Sequence, residues 1–127
     1  MTYKEIIDRV NEKINKAGIL KQDIAAGMNI DQGNLSRMLQ GAATKIYRCL
    51  DLLDEVGLEL TLNNKPMRCH QDVLDYALEY RLESMRKIGD KSGVGQGTVN
   101  KFFVGENVGM ESALKIFDVL GIEVRVV

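Results

Sequence analysis

Along most of this chain apolar residues recur at spacings of three and four, the period of an amphipathic helix, and the spacing falls to two in only two places. Ile6, Ile7, Val10 and Ile14 make one apolar stripe and predict a helix of about four turns that stops near Gly18. A short helix follows from about Lys21 to Met28, then a tight turn at Asn29, then a second short helix from about Gln32 to Leu39 that Gly41 ends. Ile46, Cys49, Leu50, Leu53 and Val56 mark a fourth helix, stopped at Gly57. After it, Leu58-Glu59-Leu60-Thr61-Leu62 alternates apolar and polar as a half-buried strand does.

The same order of elements then recurs. A shift of 64 positions lays residues 8–63 over residues 72–127 without a gap. DQGNLSRMLQG, Asp31 to Gly41, falls on GQGTVNKFFVG, Gly95 to Gly105, and keeps Gln32 with Gln96 and Gly33 with Gly97. LDLLDEVGLEL falls on LKIFDVLGIEV, keeping Leu50 with Leu114, Asp54 with Asp118, Gly57 with Gly121 and Glu59 with Glu123. Elsewhere apolar faces apolar, as in Val10 with Leu74, Ile14 with Leu78 and Leu35 with Val99. The second copy has its turn at Gly93, a Ser84 cap before its second helix, and stops at Gly105 and Gly121. Asn63-Asn64-Lys65-Pro66, with the only proline, reads as the boundary between a first unit, 1–64, and a second, 65–127. Units of about 60 residues bury little surface, so each gains by packing on the other or on a second chain. The terminal strands, Leu58–Leu62 and Ile122–Val126, are expected to pair across a pseudo-twofold axis, with pairing to another chain as the competing solution.

A helix pair folded back at a steep angle needs a turn residue that tolerates positive φ and a small side chain where the helices cross. Asn29 and Gly93 hold the turn position, and Ala25 and Gly89 hold the crossing position. Ile30 or Val94 just after the turn, and Leu35 or Val99 five residues on, pin the following helix to a core. Asp31 can cap that helix in the first copy, and Gly95 is a weaker cap in the second. With these features in IAAGMNIDQGNLSRMLQG, the chain resembles the Cro/CI-type, Xre-like helix-turn-helix regulators of phages and bacteria. The resemblance covers nearly all of the first copy and, less closely, the second. The strand after the last helix is similar to the extra strand of HipB-type antitoxin repressors. The resemblance implies a mainly α fold of two tandem lambda-repressor-like helix-turn-helix domains, each ending in a short strand. It also implies double-stranded DNA as partner and the work of a transcriptional repressor.

On a recognition helix in the major groove, amides near its start can bridge adenine through two hydrogen bonds. Gln32 and Gln96 occupy that place, with Asp31, Asn34 and Thr98 beside them, and Arg37 and Lys101 one turn on suit phosphate or guanine. Lys21 and Gln22, and in the second copy Met85 and Arg86, sit where the family touches the DNA backbone; Lys45 and Lys91 are further phosphate candidates. Gly33 and Gly97 are costly inside a helix, by up to about 1 kcal/mol each against alanine, and a close backbone approach to DNA or a partner would explain them.

Charge argues the other way as a whole but not locally. The chain carries 17 basic and 18 acidic residues, a net −1 unlike that of a nucleic-acid binder. Residues 21–48 nevertheless hold four cations against two anions, as do residues 84–106. Few phosphate contacts and a modest salt dependence are therefore expected. A protein-interaction module on the same scaffold, an antitoxin, antirepressor or inhibitor, is the competing reading. Cys49, Cys69 and His70 have no metal-ligand spacing, and neither a nucleophile with its base nor a phosphate loop is found, so no enzyme, metal or cofactor is expected. Cys49 reads as a small buried hydrophobe. No run is long and apolar enough for a membrane span and the charged N-terminus is unlike a signal peptide, so a cytoplasmic protein is expected.

Overall fold

A computed structural model describes all residues, Met1 to Val127. The protein is mainly helical, with eight helices and one small antiparallel sheet. The helices are α1 (Tyr3–Ala17), α2 (Lys21–Met28), α3 (Gln32–Leu39), α4 (Ile46–Glu55), α5 (His70–Glu79), α6 (Met85–Ser92), α7 (Gln96–Phe103) and α8 (Met110–Val119). The strands are β1 (Leu60–Leu62), β2 (Lys65–Met67) and β3 (Val124–Val126), in the order β2-β1-β3. Helices α2, α3 and α4 and strand β1 recur as α6, α7, α8 and β3 with every boundary displaced by 64 residues.

Local chemistry accounts for the boundaries. Thr2 and Glu5 close a reciprocal capping box at the start of α1, each side chain bonding the other's backbone N–H. Asn29 and Gly93 adopt left-handed conformations, φ 57° and 75°, and end α2 and α6. Asp31 accepts from the N–H of Asn34 at 2.7 Å, and Ser84 from that of Lys87 at 3.3 Å. Each such cap is worth about 1 kcal/mol.

Strand β1 is the centre of the sheet. Its register with β3 pairs Leu60 with Val126, Thr61 with Arg125 and Leu62 with Val124. A shift of 64 residues turns the first of these pairs into the last and pairs Thr61 with its own counterpart, so the ladder maps onto itself when the halves are exchanged. Lys45 and Gly109, also counterparts, form an isolated antiparallel bridge. The N–H of Ile46 there donates to Val108 at 2.9 Å and that of Met110 to Thr44 at 2.8 Å, again a pair of bonds that exchange into each other. Each of the two junctions, one in the sheet and one ahead of α4 and α8, is thus matched to itself when the halves are exchanged. Leu58, Leu60, Leu62, Ile122, Val124 and Val126 are all buried. A single apolar cluster of 36 residues runs from Tyr3 to Val126 through both halves.

Two features differ from the sequence reading. The boundary segment Asn63-Asn64-Lys65-Pro66 is itself structured: Asn63 and Asn64, φ 50° and 68°, form the two-residue turn of a hairpin, and Lys65–Met67 is an edge strand that the sequence reading did not include. Asparagine suits that turn, and Asn63 also exchanges hydrogen bonds of 2.8 Å with the backbone of Glu123. Pro66 is tolerated because an edge strand has one unpaired side. Helix α5 has 10 residues where α1 has 15: relative to α1 shifted by 64 positions it begins three residues later, after Met67 of β2, and ends two residues earlier. Leu78, matched in sequence to the buried Ile14, is 43% exposed.

Candidate nucleic-acid interface

Helix α3 is held from behind. Leu35, Met38 and Leu39 are buried, and Asn11 of α1 donates to the carbonyl of Leu39 at 3.0 Å. Buried Ala25 permits the close crossing of α2, and the N–H of Ile30 returns to its carbonyl at 3.0 Å. What remains outward is Gln32, Gly33, Ser36 and Arg37, with Asn34 half-buried. Asp31 accepts from the Asn34 side chain at 3.2 Å, and the Asn34 carbonyl oxygen accepts from Arg37, so these three residues form one chain of hydrogen bonds along the helix. Gln32 has no such partner and is free to bond outward.

The second half repeats this with other side chains. Val99, Phe102 and Phe103 anchor α7, Gln96, Gly97, Asn100 and Lys101 are exposed, and Thr98 is half-buried. Gly89 lies at the helix crossing, where an added Cβ would stand 3.2 Å from the Val94 carbonyl oxygen and 3.5 Å from the backbone of Gln96. Gly97 has the opposite character. A Cβ there would meet nothing within 4 Å, so nothing inside the protein requires glycine at that position. At Gly33 the nearest atom is a carboxylate oxygen of Asp31, at 3.2 Å.

The remaining predicted residues fall into separate groups. Lys21 and Gln22 are exposed in the first turn of α2, where no side chain caps the helix, and Arg86 is exposed at the matching place on α6. Met85 instead packs against the core. Lys45 is the exposed residue just ahead of α4 and lines a cleft of about 450 Å³ with Asn34, Arg37 and Arg48. Asn107, from the other half, closes that cleft and accepts from the N–H of Tyr47 at 3.1 Å. Sequence reasoning missed Arg48 and Asn107 as site residues. Arg48 lies in the first turn of α4, three positions after the N-cap Lys45, and that short spacing is present in the sequence; the approach of Asn107 depends on how the halves dock. Lys91 does not join either group. It pairs with Glu83 at 2.5 Å and lines a different groove, of about 520 Å³, between the start of α1 and the face of α8.

Neither cysteine nor the histidine takes part. Cys49 is buried, and burial pushes its thiol up to about 12. Cys69 is exposed just ahead of α5, and His70 sits edge-on to Tyr47 with ring centroids 4.6 Å apart. No helix is long and apolar enough to cross a membrane. Comparison with family models, curated proteins and solved structures finds no match for this chain.

Proposed function

We propose that this protein is a sequence-specific binder of double-stranded DNA that works as a repressor-type transcriptional regulator, using α3 and α7 as the recognition helices of two tandem helix-turn-helix units. One observation carries the reading: two short helices, each entered through a left-handed turn and anchored from behind, present an exposed glutamine at the same position. The self-matched junctions of the sheet and of Lys45 with Gly109 support a fused, dimer-like arrangement, and such an arrangement calls for two half-sites one helical turn apart, about 34 Å. Glutamine at both positions implies one base read alike in the two half-sites. Asn34 against Thr98 and Asp31 against Gly95 imply positions read differently, so the target is an imperfect inverted repeat. The open backbone at Gly97 suits a close approach of DNA to the helix start, where free amides favour phosphate.

Selection from random duplexes is expected to enrich such a repeat. Each bidentate amide–adenine pair is worth about 1–3 kcal/mol, so the double variant Gln32→Ala, Gln96→Ala should bind the selected site at least tenfold more weakly. Failure to enrich any motif, or unchanged affinity in the variant, contradicts the proposal.

The second reading, a protein-interaction module with DNA binding secondary or lost, draws on one observation. Leu78, Leu82 and Val104 of the second half are 43%, 93% and 71% exposed, and their counterparts in the first half are Ile14, Gly18 and Gln40. That reading predicts a stoichiometric protein complex and no salt-dependent binding to any duplex.

A further inference from the structure

The two halves share a backbone plan but not a distribution of charge. At the junction between halves, Arg37, Lys45 and Arg48 put three positive charges around one cleft, and none of them is in an ion pair. Their counterparts under the 64-residue shift are Lys101, Gly109 and Ser112, which carry one positive charge, and Glu106 stands where the first half has Ala42. The second half of the junction is therefore neutral. The first turn of the helix before the recognition helix reverses the bias. Lys21, Gln22 and Asp23 sum to zero on α2, whereas Met85, Arg86 and Lys87 carry two positive charges on α6, and Arg86 and Lys87 are exposed and outside any ion pair. Lys91 and Ser92, at the other end of that eight-residue helix, line the groove against the first half, whereas Arg86 and Lys87, in its first turn, do not.

Resting on the DNA-binding reading above, we propose that the protein grips its duplex asymmetrically: the first half clamps the phosphates near the centre of the site, and the second half clamps those at its outer edge. The cleft is suited to a central phosphate. Two guanidinium groups and an ammonium surround it, and the side-chain N–H groups of Asn107, which bond to nothing else in the protein, add a donor from the opposite half. Central phosphates of the other half-site find only Lys101, opposed by Glu106. Such a grip fixes the orientation of an otherwise twofold complex on an imperfect repeat, even where the base contacts of the two halves are alike.

Ethylation interference on both strands of a duplex selected by the wild-type protein tests this. Interference at central phosphates in one half-site and at outer phosphates in the other is expected; the same pattern in both half-sites overturns the proposal while leaving DNA binding intact. Lys45→Ala with Arg48→Ala, both exposed positions, should lower the salt slope by about two phosphates, so that affinity falls about tenfold less between 50 and 200 mM salt, and should erase the central signal. Gly109→Lys with Ser112→Arg should add a central signal to the other half-site, because the added Cβ at Gly109 meets nothing within 4 Å. Circular dichroism melting confirms that the variants fold. An unchanged slope in a folded Lys45→Ala, Arg48→Ala variant overturns the asymmetric grip alone, and absence of wild-type binding to every duplex overturns both proposals.

Discussion

His70 opens α5 with its Nε2 enclosed and without a hydrogen-bond partner, its ring against Tyr47 of the other half. Burial disfavours the imidazolium and lowers the pKa of this group below its ordinary value near 6.5. The unfolded chain then binds more protons between the lowered folded value and 6.5. The stability due to neutral His70 is complete above that window and is lost as pH falls through it. Urea midpoints measured from pH 7.5 down to 5.5 should decline for the natural protein and stay level for His70→Phe; equal declines in the two would show that His70 is not responsible. At this scale the sequence is a good guide to backbone chemistry and a poor one to side-chain partners. Asn29 and Gly93 announce their left-handed turns, and Asp31 its cap, because a residue type suited to one conformation is informative alone. The hydrogen bonds that tie Asn34 to both Asp31 and Arg37, and the ion pair that draws Lys91 to Glu83, depend on rotamers and neighbours that no periodicity encodes.

Among elements, the crossings α2 with α3 and α6 with α7 set the angle at which the exposed glutamines are held. Ala25 and Gly89 mark those crossings, and the 3.2 Å approach at Gly89 is to a backbone oxygen, which cannot swing aside. Gly89→Val should cost about 1–3 kcal/mol by forcing the two helices apart, read as a lowered urea midpoint with an unchanged m-value. A stability equal to that of the natural protein would mean that the crossing is looser than described. The glycine stops and the apolar stripes make the helices legible from sequence. Strand β2 is not legible, because Lys65-Pro66-Met67 neither alternates nor carries strand-forming residues; it is a strand only because Asn63 and Asn64 turn the chain back beside β1. The later start of α5, after Met67 of β2, is hidden for the same reason.

Over the whole molecule, one apolar cluster joins the halves, and two junctions between them are each matched to themselves under exchange. Periodicity and the 64-residue repeat reveal two copies of one helical plan. What they cannot reveal is the docking, which brings Asn107 to the cleft of Arg37, Lys45 and Arg48. Two half-sites read from a single chain, with no second chain needed to complete the site, is the central claim. Its most direct test is the mass, by sedimentation or light scattering, of the complex formed on a duplex of about 20 base pairs carrying the selected repeat, a length that spans two half-sites one turn apart. One chain per duplex, with both half-sites protected, is the predicted result; two chains per duplex, or no complex on any selected sequence, would contradict it.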